Sequence, residues 1–216
     1  MFTGIVKNQG IVAAIRKKGQ QIRMAIRFKK KETNLRLGES ITVNGVCLTV
    51  TEIGSRSFTV DIVNATLKST TLGFLRTGSP VNLERSLKLG DSISGHFVTG
   101  HVDGQGIVEK ILKQGRNRLL WIRSPKEIVR FLASKGSVAV DGISLTIQEV
   151  SRNSFKIALI PYTSSETTLG IKKIGDAVNL EIDLITRYLK VIMQNLPPAS
   201  LSRHRLKPSQ LKKEGF

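Results

Sequence analysis

The chain is an internal duplication. TGIVKNQGIV at Thr3–Val12 returns as TGHVDGQGIV at Thr99–Val108. From Asn44 onward the match keeps an offset of 97 residues: NGVCLTVTEI at Asn44–Ile53 becomes DGISLTIQEV at Asp141–Val150, and SFTV at Ser57 becomes SFKI at Ser154. TTLG (from Thr70 and Thr167) and VNLE (from Val81 and Val178) stand in both halves, and 17 residues are identical between 44–87 and 141–184 without a gap. Two copies of one small domain therefore share a chain of 216 residues. The period is much longer than the roughly 20 to 50 residues of a solenoid unit, so these are paired domains and not an array. Two copies of a fold imply two related ligand sites, and the positions where the copies differ report how those sites diverged.

Each repeat reads as short strands rich in Val, Ile, Thr and Phe, broken by Gly, Asn, Ser and Lys turns. In the first copy they are Ile5–Ala14, Gln21–Arg27, Ser40–Val43, Leu48–Ile53, Phe58–Val63 and Pro80–Glu84. A sheet this small would leave unpaired edges unless it closed, so a barrel is expected. Thr66–Leu72 and Thr163–Leu169 each precede a glycine and read as helical turns. Ser124, Pro125 and the amphipathic run Lys126–Ser134 read as a cap, a first-turn proline and a helix. Arg85–Phe97 links the copies. After the second copy, Tyr188, Leu189, Ile192 and Leu196 fall at helical spacing within Thr186–Leu196, which ends before Pro197. Such a short amphipathic helix needs a partner, either its own barrel or another chain. Residues 197–216 are basic and proline-punctuated, with the composition of a disordered tail.

A formal charge of +18 raises nucleic acid as a partner, with Arg27–Lys31 and the tail residues Arg203, Arg205, Lys207, Lys212 and Lys213 as first candidates. Aromatic residues make up only 5% of the chain, and no recognition motif or stacking platform is present, so the charge is read as a solvated surface with no nucleic acid bound. No apolar run approaches the roughly 18 residues of a membrane span, and no signal-peptide pattern opens the chain. The single cysteine, Cys47, cannot form an intrachain disulfide. A soluble cytoplasmic protein is expected.

No phosphate loop, no dinucleotide fingerprint and no metal-ligand spacing occurs, so neither cofactor nor metal is expected. The differences between copies carry more chemistry. Cys47 stands opposite Ser144 within matching frames, Ile5 opposite His101, Leu37 opposite Lys135 and Ser86 opposite Asp183, while Thr49 and Thr146 stay the same. Apolar or neutral groups thus give way to acid-base and nucleophilic ones. Each position also has a plain structural reading: Cys47 as a small buried filler, the threonines as strand residues, Lys135 as a turn cation, Asp183 as a helix cap.

Taken together, MFTGIV at the start, the NGVCLTV block with its DGISLTI counterpart, GHFVTGHVDG between them and the paired TTLG and VNLE stretches resemble riboflavin synthases of the α-chain type, from Met1 to about Leu196. The resemblance implies an all-β fold of two similar six-stranded Greek-key β-barrels plus a C-terminal α-helix, divided as 1–97, 98–185 and 186–196. It implies a cofactor-independent transferase that dismutes two molecules of 6,7-dimethyl-8-ribityllumazine by four-carbon transfer. A homotrimer with its active site between subunits, and lumazine synthase as a partner, are further implications. The resemblance assigns a first pocket to Gly4, Ile5, Val6, Cys47, Leu48, Thr49, Asp61, Ile62, Val63, Asn64, Ala65 and Thr66. It assigns a second to Gly100, His101, Val102, Lys135, Ser144, Leu145, Thr146, Leu159, Ile160, Pro161, Tyr162, Thr163 and Ser164. His101 is the preferred base, Cys47 and Ser144 are candidate nucleophiles beside water and a ribityl hydroxyl, and Lys135 and Asp183 orient or polarise. Ala65 stands where a Glu is common, Thr99 where a Ser is usual, and Tyr162–Ser164 varies a segment that often carries His or Glu. The same barrels occur in lumazine- and flavin-carrying fluorescent proteins, so a non-catalytic carrier is the alternative.

Overall fold

Twelve antiparallel strands close into two barrels in the computed structural model, which describes residues 1–19 and 21–195. The first uses β1 (Asn8–Lys18), β2 (Gln21–Phe28), β3 (Ser40–Val43), β4 (Val46–Ile53), β5 (Ser57–Val63) and β6 (Pro80–Arg85), in the order β1-β2-β5-β4-β3-β6. The second repeats that order with β7 (Gly104–Gln114), β8 (Asn117–Arg123), β9 (Ser137–Val140), β10 (Ile143–Val150), β11 (Ser154–Leu159) and β12 (Ala177–Ile182). Closure removes the edges, as the strand pattern predicted. Bulges recur at matching places, between Val12 and Ala14, Val108 and Lys110, Val50 and Glu52, and Ile147 and Glu149. They bend long strands around a narrow barrel. Inward positions fill each core: Val12, Ile26, Ile41, Val60 and Leu83 in the first, Val108, Ile122, Val138, Ile157 and Leu180 in the second.

Both barrels belong to one compact unit, Met1–Leu184. Their junction is reciprocal, as an approximate two-fold requires. Asn82 Nδ2 donates to Asp141 O at 3.0 Å and Asn179 Nδ2 to Asn44 O at 2.8 Å, while Asn179 Oδ1 and Asn82 Oδ1 accept from the amides of Thr71 and Thr168. Gly45 and Gly142 touch main chain to main chain on the axis: both have positive φ, and a Cβ on Gly45 would stand 2.6 Å from Gly142 N. Only glycine satisfies both demands.

Two local expectations change. The turns after β5 and β11 start earlier than predicted, as α1 (Asn64–Ser69) and α3 (Pro161–Glu166), and each is followed by a separate 3₁₀ turn, Thr71–Phe74 and Thr168–Ile171. The expected Lys126–Ser134 helix is a single turn, α2 (Lys126–Val129), and Ser124 does not cap it. Buried Ile128 and Val129 anchor it on the barrel, and Phe131 N and Leu132 N then bond to the carbonyls of residues three back. The segment must return to β9 at once, so tight turns replace helix. The link after β6 is not a free tether: Leu87, His96 and Val98 donate to the carbonyls of Met1, Thr3 and Phe2.

A final helix, α4 (Leu184–Asn195), begins two residues before the predicted Thr186 and presents Ile185, Tyr188, Leu189, Ile192 and Met193 exposed. Leu196 and the predicted tail, 197–216, lie outside the described residues.

Candidate active site

In each barrel one ladder stops early. The β4–β5 pairing ends at Val50↔Val60, although both strands run on to Val46 and Val63, and β10–β11 ends in the same way at Ile147↔Ile157. The outer face of each opening carries the predicted residues. Strand alternation turns Leu48 and Ile62 inward and leaves Cys47 half-buried, Thr49 and Val63 exposed and Asp61 half-buried; Leu145 and Leu159 turn inward opposite Ser144, Thr146 and Ile160. Asn64, Ala65 and Thr66 begin α1 at one rim, and Pro161, Tyr162, Thr163 and Ser164 begin α3 at the other. Backbone polar groups flanking such a gap have no ladder partner across it and must be satisfied elsewhere.

The leading segment of each repeat docks on the opposite barrel. Cys47 N donates to Gly100 O at 2.9 Å, and Ser144 N donates to Gly4 O at 2.8 Å. Val102 packs against the first core and Val6 against the second. The sequence grouping is therefore corrected: Gly100, His101 and Val102 complete the opening at Cys47 and Thr49, while Gly4, Ile5 and Val6 complete the one at Ser144 and Thr146. Gly4 (φ +75°) and Gly100 (φ +81°) permit this approach, since a Cβ on Gly100 would lie 2.5 Å from Cys47 Cβ and one on Gly4 2.7 Å from Ser144 Cβ.

Lys135 also shifts its alignment. Lys135 N bonds to Ile147 O as Gly38 N bonds to Val50 O, so its counterpart is Gly38 and not Leu37. Lys135 is exposed and keeps a left-handed φ of 67°, a strained conformation for a side chain of its size.

Two different polar sets result. In the second opening, His96 Nδ1 lies 2.7 Å from Ser144 Oγ. Burial pushes the His96 imidazole below its ordinary value, and the Asp183 carboxylate works in the other direction. Ser144 and His96 thus form a nucleophile-base pair, while His96 Nε2 is buried without a hydrogen-bond partner among the described residues and Asp183 acts on the ring through its charge alone. In the first opening, burial pushes the Cys47 thiol up, partly offset by the Ser40 hydroxyl that bonds to it. Cys47 is held as a thiol and is a poor nucleophile there. His101 projects exposed, its amide donating to Thr99 Oγ1 at 3.3 Å.

Sequence reading did not single out His96, although GHFVTGHVDG contains it. Its signal was weak, because residue 96 lies outside the matched blocks and only tertiary folding brings it to Ser144. No group of three His, Cys, Asp or Glu side chains suited to a metal occurs among the described residues. A cleft of about 470 Å³ lies elsewhere between the barrels, lined by Asn44, Thr71, Phe74, Thr168, Ile171 and Lys172 among others. The Thr71 and Thr168 hydroxyls beneath it are sealed from solvent.

Comparison with known proteins agrees with this geometry. The model of the lumazine binding domain matches twice, over residues 3–86 and 99–183. Riboflavin synthase of Actinobacillus pleuropneumoniae is 41% identical over 216 residues, covering all of both chains, and that of Bacillus amyloliquefaciens is 43% identical over 88% of each. Among solved structures, LumP complexed with riboflavin superposes with a TM-score of 0.78 at 31% identity, covering 84% of this chain and 99% of that one. LumP complexed with 6,7-dimethyl-8-(1'-D-ribityl) lumazine gives 0.76 at 30% identity over the same shares. With two lumazine-binding domains matched in tandem and riboflavin synthases aligned along its full length, the chain belongs to the riboflavin synthase family of lumazine-binding proteins.

Proposed function

We propose that the protein converts two molecules of 6,7-dimethyl-8-ribityllumazine into riboflavin and 5-amino-6-(ribitylamino)uracil. The two products together contain all the atoms of the two substrates, so the transfer of four carbons needs no external oxidant. This is transferase chemistry in which the protein supplies positioning and proton transfer without cofactor or metal. One observation carries the reading: two related openings hold unlike polar groups, His101 beside a protonated Cys47 in one and the Ser144–His96 pair, under the charge of Asp183, in the other. Dismutation requires that asymmetry, since identical molecules must act as donor and acceptor.

In this scheme His101 removes or shuttles the proton of the acidic C7 methyl in the first opening. Ser144, its hydroxyl hydrogen-bonded to neutral His96, adds to C7 of the second molecule or directs water there. Asp183 favours the protonated form of His96 through its charge, and Lys135 polarises the second ring. The raised thiol of Cys47 argues against it as nucleophile. The remaining pocket residues, from Gly4 and Asp61 to Ser164, contribute shape and backbone contacts.

The apolar residues of α4 support its assignment as the oligomerisation element of a homotrimer, and the division 1–97, 98–185 and 186–196 is proposed with it. Such a trimer would bring the first opening of one subunit to the second opening of its neighbour. A cytoplasmic location and association with lumazine synthase complete the proposal. A carrier needs one competent opening, whereas both are kept here, which favours catalysis. Incubating purified protein with the lumazine alone tests it. Riboflavin fluorescence should appear, fall strongly in Ser144→Ala and His101→Gln, and persist with a chelator present. A bound but unchanged lumazine would instead identify a carrier.

A further inference from the structure

Two buried carboxylates have no part in the chemistry above. Glu84 on β6 and Glu181 on β12 are 4% and 3% exposed, and each stands at the end of a VNLE repeat. Both spend their oxygens alike. Glu181 Oε1 accepts from Thr99 N and Thr99 Oγ1, each at 2.7 Å, and Oε2 accepts from Gly100 N at 3.0 Å. Glu84 Oε1 accepts from Thr3 N at 2.8 Å and Thr3 Oγ1 at 2.7 Å, and Oε2 from Gly4 N at 3.0 Å. Three donors on one carboxylate partly offset the cost of burying its charge, which still pushes the Glu84 carboxyl up, and they fix the segment that supplies them.

That segment is the one that crosses. Held by Glu181, Gly100 presents its carbonyl to Cys47 N at 2.9 Å, and Thr99 Oγ1 accepts from the amide of His101 at 3.3 Å. Glu181 belongs to the second barrel, yet what it positions is the wall of the first opening. Glu84 belongs to the first barrel and positions Gly4, whose carbonyl meets Ser144 N at 2.8 Å in the second.

We infer that Glu181 and Glu84 are positioning residues for the two substrate openings, each acting on the opening of the barrel to which it does not belong. The inference deepens the proposed reaction and rests on that reading only where turnover is concerned. Replacing the carboxylate by its amide keeps one acceptor and turns an NH₂ group toward the Gly100 or Gly4 amide, donor against donor. The crossing segment then loosens from the opposite barrel.

Cys47 is the only cysteine in the chain and sits half-buried against Gly100, so its labelling by a thiol reagent such as dithionitrobenzoate reads the first opening once rates are corrected for thiolate fraction. The Glu181 carboxylate also lowers that fraction; Thr99→Val, which keeps that charge, separates the two effects. Glu181→Gln should speed labelling in the folded protein about tenfold, while Glu84→Gln, a change in Cys47's own barrel, should leave the rate within about twofold. Should Glu181→Gln fail to fold, Thr99→Val removes one of the same hydrogen bonds and should still give a several-fold rise, with Thr3→Val as the silent control. Equal acceleration by the two glutamate variants, or none in either Glu181→Gln or Thr99→Val, overturns the inference. Turnover is read separately: both glutamate variants should lower kcat, with Cys47 reactivity changed in only one. Wild-type protein that makes no riboflavin but shows the crossed labelling pattern would refute the reaction and keep the positioning.

Discussion

The repeat supplies its own control for a buried charge. Asp141 has no exposed surface, and its Oδ2 lies 3.2 Å from Lys172 Nζ, whose side chain is 19% exposed. The equivalent positions in the first copy are Asn44 and Leu75 in the same backbone. The backbone role is identical, since Asp141 Oδ1 accepts from Asn179 N and Asn44 Oδ1 from Asn82 N, both at 2.8 Å. At 3.2 Å the attraction is about 5 kcal/mol for an effective dielectric of about 20. Desolvation of the two ions is of similar size and opposite sign, so the pair is close to neutral overall. Lys172→Leu breaks the pair and strands the carboxylate, costing about 3 to 5 kcal/mol at pH 8. Asp141→Asn with Lys172→Leu rebuilds the first repeat's arrangement and should return to within about 1 kcal/mol of wild type, or exceed it.

The pH dependence has a definite sign. Burial raises the Asp141 carboxyl from 3.8, opposed by Lys172, so the native state binds more protons than the unfolded state above that value. Stability from this group is full at lower pH and is lost as pH rises through the folded value. Removing Lys172 raises that value further, so the Lys172→Leu deficit should grow from pH 5 to pH 8. Equilibrium urea denaturation at one fixed protein concentration measures all of this. A Lys172→Leu protein within about 0.5 kcal/mol of wild type at pH 8, or a double variant less stable than the single, would refute the reasoning.

Gly100→Ala should destabilise by about 2 kcal/mol or more, from a left-handed backbone and a Cβ 2.5 Å from Cys47, and should abolish turnover; denaturation and a fluorescence assay check both. Burial holds the His96 imidazole low and the Asp183 carboxylate works against it, so Asp183→Asn should move the His96 titration, followed by NMR in the folded protein, to still lower pH. Lys135→Gly relieves a φ of 67° and should stabilise by up to about 1 kcal/mol, while lowering kcat if the ammonium polarises substrate. Replacing Leu189 and Ile192 of α4 by Ser should reduce the molecular mass measured by light scattering from that of the proposed trimer.

The ungapped match between copies, with alternating Val, Ile and Phe, dictated two barrels of one topology, because a period-two apolar pattern buries only one sheet face and a small sheet must close. The same comparison singled out Cys47, Ser144, His101 and Asp183 as candidates, since duplicated positions whose chemistry differs need no coordinates to be seen. It misread Lys126–Ser134, where the short return to β9 overrides helical patterning, and it aligned Lys135 with Leu37 instead of Gly38. Pocket partnership was beyond it as well. Thr3–Val6 and Thr99–Val102 are repeat-equivalent in sequence, and nothing in their residues says that each docks on the other barrel. Only the folded chain brings Gly100 to Cys47, Gly4 to Ser144 and His96 to Ser144, because those contacts are set by approximate two-fold packing of whole barrels and not by local spacing.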